Sequence, residues 1–324
     1  MTVTMTAILP SVRMRRQTTS GRIALVLGVL AIIALVAMPW WAKNGTIRSV
    51  VELCCYIAVA QMWNLLAGYA LFIFAQLWGI NPFFAVPLSL IAPAILAIPT
   101  YALLHRLDRP YFAIGTWVVA EVLRLLTENF YYVNAGAGMS LRVMQDYDAH
   151  TRKIGVTLLC ALMLVVTVGG SYWLLRSRYG LAVTAMRDNA VAAASQGVNV
   201  SRLRFLIFVA TAMGVGLAGS FYFMAQLRIN PPAAYDPQWS KIAIFIVMVG
   251  GIGSIEGVLI GSMIYFLADR WFGQYGSTYL IVLGLMTLAT ALYARGGVRG
   301  LVCKVIDAPW FPIRRTLIDE GEAK

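Results

Sequence analysis

Apolar residues run along this chain in long blocks with few polar interruptions, and most blocks have the length of a bilayer crossing. Ile23–Trp41, Val50–Gly68, Pro82–Leu104, Tyr111–Thr127, Gly155–Leu175, Phe205–Gln226 and Thr278–Ala294 are such blocks. Two stretches depart from the pattern. Leu71–Ile80 is apolar but short. Lys241–Trp271 is long but interrupted by Gly250-Gly251-Ile252-Gly253-Ser254-Ile255-Glu256-Gly257, which predicts two short arms meeting at the break. Most blocks are apolar on every side, and in lipid a segment must satisfy its backbone hydrogen bonds internally, so the prediction is helices. The alternation expected of outer-membrane strands is absent. The fold class that follows is all-α, a polytopic transmembrane helix bundle with about 8–10 membrane helices, short and broken ones included.

Composition agrees. The chain has 324 residues, 60% of them hydrophobic and only 12% charged, against roughly 25% charged in soluble domains. Its environment is therefore a lipid bilayer. The net charge of +12 raises nucleic acid as a partner, but no basic run interleaved with aromatics occurs, and nucleic acid is not expected. The basic residues instead report orientation, because Lys and Arg collect in cytoplasmic loops. With the N-terminus inside, 17 of the 26 Lys and Arg fall in cytoplasmic segments and 7 outside, Arg124 and Lys241 lying in or beside spans. Both termini are then cytoplasmic. Arg13, Arg15, Arg16 and Arg22 before the first block resemble a signal-peptide start, but Ile23–Trp41 is long for one and no small-x-small cleavage site follows, so an uncleaved first span is expected.

One polar island interrupts the apolar pattern, Arg176 to Arg204, with five Arg, Gly180 and Gly197 near its ends and many Ala between. A few residues would connect two spans, so this length implies a folded device. Leu181–Arg187 reads as a short helix. Asp188 or Asn189 can cap a second one, Ala190–Gln196, by accepting from its exposed first-turn N–H groups. Gly197 supplies the left-handed residue that ends it. Ala-rich helices on a membrane surface allow close docking into a partner's groove; the competing account is a solvated loop with incidental helix.

Other candidate chemistry is sparse. Cys54, Cys55, Cys160 and Cys303 lack metal-ligand spacing, and His105 and His150 stand alone, so no metal or other cofactor is expected. Paired carboxylates, a His cluster or a nucleophile with its base are missing, so no catalytic residues are assigned and an enzyme is not expected. Glu121 and Arg124, three apart on one helix, can pair toward the bundle interior; substrate contact is the alternative. The break at Gly250, Gly251, Gly253 and Gly257 has two readings. Unwound backbone can line a translocation path, or the glycines allow close helix packing.

The island resembles the coupling loop of ATP-binding-cassette importer permeases, and the chain is similar to the permease subunits of the branched-chain (hydrophobic) amino acid uptake family. The likeness rests on Asn64-Leu65-Leu66-Ala67-Gly68-Tyr69, on Tyr111-Phe112-Ala113-Ile114 running to Glu121-Val122-Leu123-Arg124, and on Tyr179-Gly180 through Met186-Arg187-Asp188-Asn189. It continues at Ala192-Ala193, Gly197-Val198-Asn199, Val249 to Ser254 with Gly257 and Gly261, and Arg295-Gly296-Gly297-Val298-Arg299-Gly300-Leu301. Gly136 to Ser140 resembles the family's Gly-rich outer loop. In one place the chain departs: after Gly68-Tyr69-Ala70 the family continues with a small-residue segment, whereas this chain passes straight to Leu71-Phe72-Ile73-Phe74. Leu71–Ile80 is then the tail of a span, borrowing residues from Trp63–Ala70 or running on from the preceding span as one long tilted helix.

The resemblance implies a cytoplasmic tail at 1–22, a permease domain at 23–302 with its coupling loop at 176–204, and a cytoplasmic tail at 303–324. It implies transport across the cell inner membrane of branched-chain or other hydrophobic amino acids, with urea or short amides as the alternative cargo. The implied partners are a second homologous permease subunit, two ATP-binding-cassette ATPase subunits and a periplasmic substrate-binding protein. The chain has no Gly-x-x-x-x-Gly-Lys-Ser/Thr loop, so ATP is hydrolysed elsewhere. The loop residues assigned to ATPase coupling are Arg187, Asp188, Asn189, Ala192, Ala193, Gly197 and Asn199. A self-powered secondary transporter is a rival of another class, but it calls for internal repeats and mid-membrane acids.

Overall fold

A computed structural model describes residues 13–14, 19–42, 44–61, 67–76, 78–107, 109–131, 136–294, 296–300 and 317–318. Most of both expected tails lies outside these residues, as do Asn64 to Leu66, Arg295, Leu301 and Cys303.

The apolar blocks are helices. In chain order they are α1 (Thr19–Trp41), α2 (Asn44–Gln61), α3 (Ala67–Gln76), α4 (Pro82–Leu88), α5 (Ile91–Leu104), α6 (Arg109–Glu128), α7 (Ala149–Leu164) and α8 (Gly170–Arg176). They continue with α9 (Arg178–Asp188), α10 (Ala190–Ser195), α11 (Val200–Gln226), α12 (Pro231–Ala234), α13 (Gln238–Gly250), α14 (Ile255–Phe272) and α15 (Ser277–Tyr293). Among the described residues, Pro82–Leu104, Ala149–Arg176 and Val200–Gln226 are long and apolar enough to cross a bilayer, and α13 and α14 form a bent pair that passes the same test together. With the shorter apolar helices Gly28–Trp40 and Thr278–Tyr293, the architecture is the all-α polytopic bundle expected.

Local chemistry explains the interruptions. Pro93 has no N–H for the carbonyl of Ser89, and its ring crowds that carbonyl, so the block Pro82–Leu104 breaks at Ser89-Leu90. The Ser89 hydroxyl donates to the Val86 carbonyl at 2.6 Å and lies 2.6 Å from Ser220 Oγ in α11, a buried polar link between helices. Such links hold membrane bundles together by about 0.6 kcal/mol on average. Between α7 and α8 the chain passes through a π turn at Val165–Gly169 without a change of element direction at its caps.

The centre of the bundle is α11. Its small residues Ala212, Gly216, Gly219 and Ser220 are buried, which lets α2, α3 and α5 approach its backbone closely. Leu71, Phe72 and Ala75 of α3 are fully buried beside Phe221 and Met224 of α11.

The short segment near residue 70 proves to be a separate helix. At 10 residues, α3 spans only about 15 Å, and it begins within the stretch expected to lend it residues. Gln76 Nε2 at its end donates to the Ser140 carbonyl at 2.9 Å. Ser140 belongs to a short ladder of Met139–Ser140 with Arg228–Ile229, at the end of the bundle where Lys153 Nζ donates to the Ala42 carbonyl. Thus α3 finishes at the end where α2 starts, and the alternative of one continuous tilted helix does not hold. The ladder also explains Gly138, whose φ is +81°: a Cβ there would lie 2.5 Å from the Ile229 carbonyl.

Helix α6 differs from the interior expectation. Arg124 does pair with Glu121, at 3.0 and 3.1 Å from Nε, and also with Glu128. But Glu121 is about half exposed (48%), as are Ile114, Trp117, Val118, Val122 and Leu126 along the same helix. The pair therefore lies on an outward face of a lightly packed helix.

Candidate functional site

Two features singled out by the sequence, the polar island and the glycine break, meet at one end of the bundle. The island folds as the helix pair α9–α10. Ser177 caps α9, its hydroxyl accepting from the Gly180 N–H at 3.3 Å. A Cβ at Gly180 would lie 2.3 Å from the Leu175 carbonyl and 2.5 Å from that of Leu174, so only glycine permits the sharp turn out of α8. Asn189, rather than Asp188, is the cap of α10: its Oδ1 accepts from Val191 N–H and Ala192 N–H at 3.0 and 3.1 Å. Asp188 is the last residue of α9. Gly197, at φ +84°, closes α10, with Val198 N–H bonding back to the Ala193 carbonyl at 3.1 Å and Gly197 N–H to that of Ala194 at 3.0 Å. Asn199 then caps α11 through Arg202 N–H at 3.0 Å.

Burial divides the island. Ala193 is buried, whereas Arg187, Asp188, Asn189, Ala192, Gly197 and Asn199 are exposed. Nothing lies within 4 Å of where a Gly197 side chain would begin. Tyr179, Leu181 and Val191 are also exposed, Val191 at 81%. None of these three is among the residues that the sequence assigns to coupling, although large apolar residues inside this segment are a usable signal.

The glycine break is a joint of main chain against main chain. Helices α13 and α14 diverge by 118° across it. Ser254 caps α14 by accepting from Gly257 N–H at 3.1 Å and donates to the Gly251 carbonyl at 3.1 Å. A Cβ at Gly250 would lie 1.9 Å from the Gly257 carbonyl, and one at Gly261 2.1 Å from that of Ile246. The residues after α15 wedge into the same joint: a Cβ at Gly297 would come within 2.4 Å of Gly251 N, and one at Gly251 within 2.4 Å of the Gly296 carbonyl. In this conformation the space around Gly250, Gly251 and Gly257 is filled by backbone and, at Gly257, by the Ser254 hydroxyl as well.

Two polar contacts complete the site. Glu256, only 5% exposed, accepts from Arg299 Nε at 2.7 Å. A buried carboxylate in a membrane protein calls for a cation, and that argument could have drawn Glu256 to the arginines of the tail. The second contact joins the island to the joint: a side chain starting at Gly253 (φ +79°) would meet Arg187 Nη1 at 2.7 Å, so the guanidinium rests against that glycine. The same guanidinium lies 3.3 Å from Asp188 Oδ1. Among the described residues no cluster of His, Cys, Asp and Glu suited to a metal occurs.

The family model described as "Branched-chain amino acid transport system / permease component" matches residues 22–291. The chain belongs to that family. The high-affinity branched-chain amino acid transport system permease protein LivM of Salmonella typhimurium is 23% identical over 308 residues, covering 82% of this chain and 72% of its own. A probable branched-chain amino acid transport permease protein, LivH of Methanocaldococcus jannaschii, is 24% identical over 261 residues, covering 73% and 81%. The xylose transport system permease protein XylH of Escherichia coli is 26% identical over 120 residues, covering 36% of this chain and 30% of its own. No solved structure matches. The chain is therefore a multi-pass membrane permease subunit of the ATP-binding-cassette importer type, not an enzyme, as the resemblance implied.

Proposed function

We propose that this permease moves branched-chain or other hydrophobic amino acids across the cell inner membrane, taking them from a periplasmic binding protein. Its termini and α9–α10 face the cytoplasm. A second homologous permease subunit completes the pathway, and two ATP-binding-cassette ATPase subunits grip α9–α10. The relatives named for branched-chain amino acids match most of this chain, whereas the sugar permease matches about a third of it; this supports the amino acid reading.

The observation that carries the proposal is the contact of Arg187 with Gly253. The exposed face of α9–α10, with Asp188, Asn189, Ala192 and Gly197, receives the ATPase. Ala193 seats α10 on the bundle, and Asn199 starts α11, so the pair is rigidly continuous with the central helix. A displacement of α9 reaches the α13–α14 joint through one side chain. Gly250, Gly251, Gly253 and Gly257 form the inner end of the translocation path, closed here by backbone packing and opened when α14 swings. ATP and the loaded receptor each favour one of the two arrangements and so shift the population between them.

The test is uptake of labelled leucine by the assembled importer. Arg187→Glu, which reverses the charge at the joint, and Gly197→Asp, which adds a charge where only a partner can be met, each abolish uptake while membrane insertion is retained. Both variants lose ATPase co-purification; recovery of the ATPase at the parental level with both of them would overturn the docking of α9–α10.

A further inference from the structure

At the opposite end of the bundle from the Arg187 contact lies a cleft of about 220 Å³ between α2, α7 and α11. Its walls are mostly apolar: Ile47 and Val51 on α2, Val156 on α7, and Met224 and Leu227 at the end of α11. Ile47, Val51 and Met224 are core residues, at most 6% exposed, so the cleft opens into the interior of the bundle. Arg152 and Lys153 line it side by side from the first turns of α7. No acidic side chain lines it, and among the described residues neither cation forms an ion pair. Lys153 Nζ is held in place by the Ala42 carbonyl at 2.7 Å. Two adjacent cations, one of them held in place, above an apolar floor recognise a molecule with an anionic head and an aliphatic body. The volume falls below the roughly 300–1,000 Å³ typical of drug-sized ligand sites, which favours a compact ligand over an acyl chain.

We propose that this cleft is a binding site for a small aliphatic carboxylate, and that in transport it receives the carboxylate of the incoming amino acid between Arg152 and Lys153 while the side chain rests on Val51, Val156 and Met224. Identifying that ligand as the cargo rests on the function proposed above; the chemistry of the cleft does not. Carboxylate binding to paired cations is charge-assisted and stronger than neutral hydrogen bonding. Apolar contact with the floor selects aliphatic over polar side chains.

The experiment measures binding of tritiated L-leucine to the full-length permease in phosphatidylcholine nanodiscs, with L-leucinol, which lacks the carboxylate, as competitor. Leucine binds, leucinol competes at least about tenfold more weakly, and Arg152→Gln/Lys153→Gln weakens leucine by at least about tenfold. Val156→Trp fills the cleft and leaves both charges in place. It blocks binding as well, which keeps the test decisive should the charge variant fail to fold. Equal competition by leucinol, or unchanged binding in Val156→Trp, overturns the site. So does displacement of leucine from the parent when phosphatidylglycerol is added to the nanodiscs, since that would assign the cations to a lipid headgroup. Leucine uptake by the assembled importer separates the two proposals. Uptake without cleft binding overturns the site alone, and absence of uptake in the parent overturns the assigned cargo.

Discussion

The helix pair α9–α10 is closed by residues two to five positions away, whereas the α13–α14 joint is completed by Arg299, 43 residues beyond Glu256. Asn189 meets Val191 and Ala192, Ser177 meets Gly180, and Val198 meets Ala193. The joint has some local closure too, through Ser254, but its tightest approaches run between Gly250 and Gly257, between Gly261 and Ile246, and between Gly251 and the Gly296-Gly297 pair. The first region presents exposed side chains on a scaffold of its own; the second has no room for side chains. A lever and a pivot differ in this way: one must offer surface, and the other must keep two backbones in contact while their angle changes.

The largest effect is expected at the pivot. Gly250→Val places a branched side chain whose Cβ alone would lie 1.9 Å from the Gly257 carbonyl. The obstacle is main chain, and overpacking that cannot be relieved by a side-chain shift costs about 3 kcal/mol or more. Loss of a monodisperse peak in size-exclusion chromatography is the expected result. An equivalent change in the lever, at a position such as Ala192, leaves the peak in place. A monodisperse, thermally unaltered Gly250→Val protein would show that the pivot is not packed in this way.

Next is the ion pair that fastens the tail to the pivot. Arg299→Ala removes this cation from the buried Glu256, and breaking such a pair costs about 3–5 kcal/mol when both groups are buried. Arg299 is a third exposed, so the lower end of that range is the ceiling here. Glu256→Gln in the same chain removes the buried charge and recovers much of the loss. A thermal-shift measurement on the parent, the single variant and the double variant separates the two. Equal destabilisation of the single and double variants would mean that the charge pair is incidental.

The comparison also explains what the sequence disclosed. The helix pair was legible almost residue by residue, because cap chemistry, helix propensity and a left-handed Gly197 are local signals. Only the choice between adjacent Asp188 and Asn189, both good acceptors, is left open by the sequence; chain geometry gives the role to Asn189. The bent pair was legible as two arms because eight consecutive residues, Gly250 to Gly257, include four glycines. What those glycines touch was not legible, since Gly296 and Gly297 reach them through tertiary packing. The buried seat of α3 was hidden for the same reason. Leu71, Phe72 and Ala75 have the apolar character of a lipid-facing segment, and only the small-residue stripe of α11 decides that they face protein. Arg124 with Glu121 shows the converse: spacing gave the pair correctly, but spacing on one helix carries no information about which side of the bundle that helix presents.

The smallest effect expected is in the lever, and it sharpens the contrast most. Asn189→Ala removes the acceptor for two N–H groups of α10, a loss of about 1 kcal/mol by analogy with other caps. Because α10 is closed by its own residues, that loss stays local. Backbone amides at 191–198 exchange about fivefold faster, the factor that corresponds to 1 kcal/mol, while the melting temperature of the bundle is unchanged. Asn189→Asp keeps an acceptor at the same place and restores protection, with a small gain from a negative charge at a helix N-terminus. If Asn189→Ala instead lowered the melting temperature as Arg299→Ala does, α10 would be part of the cooperative core, and the division of the molecule into a self-closed lever and a remotely closed pivot would fail.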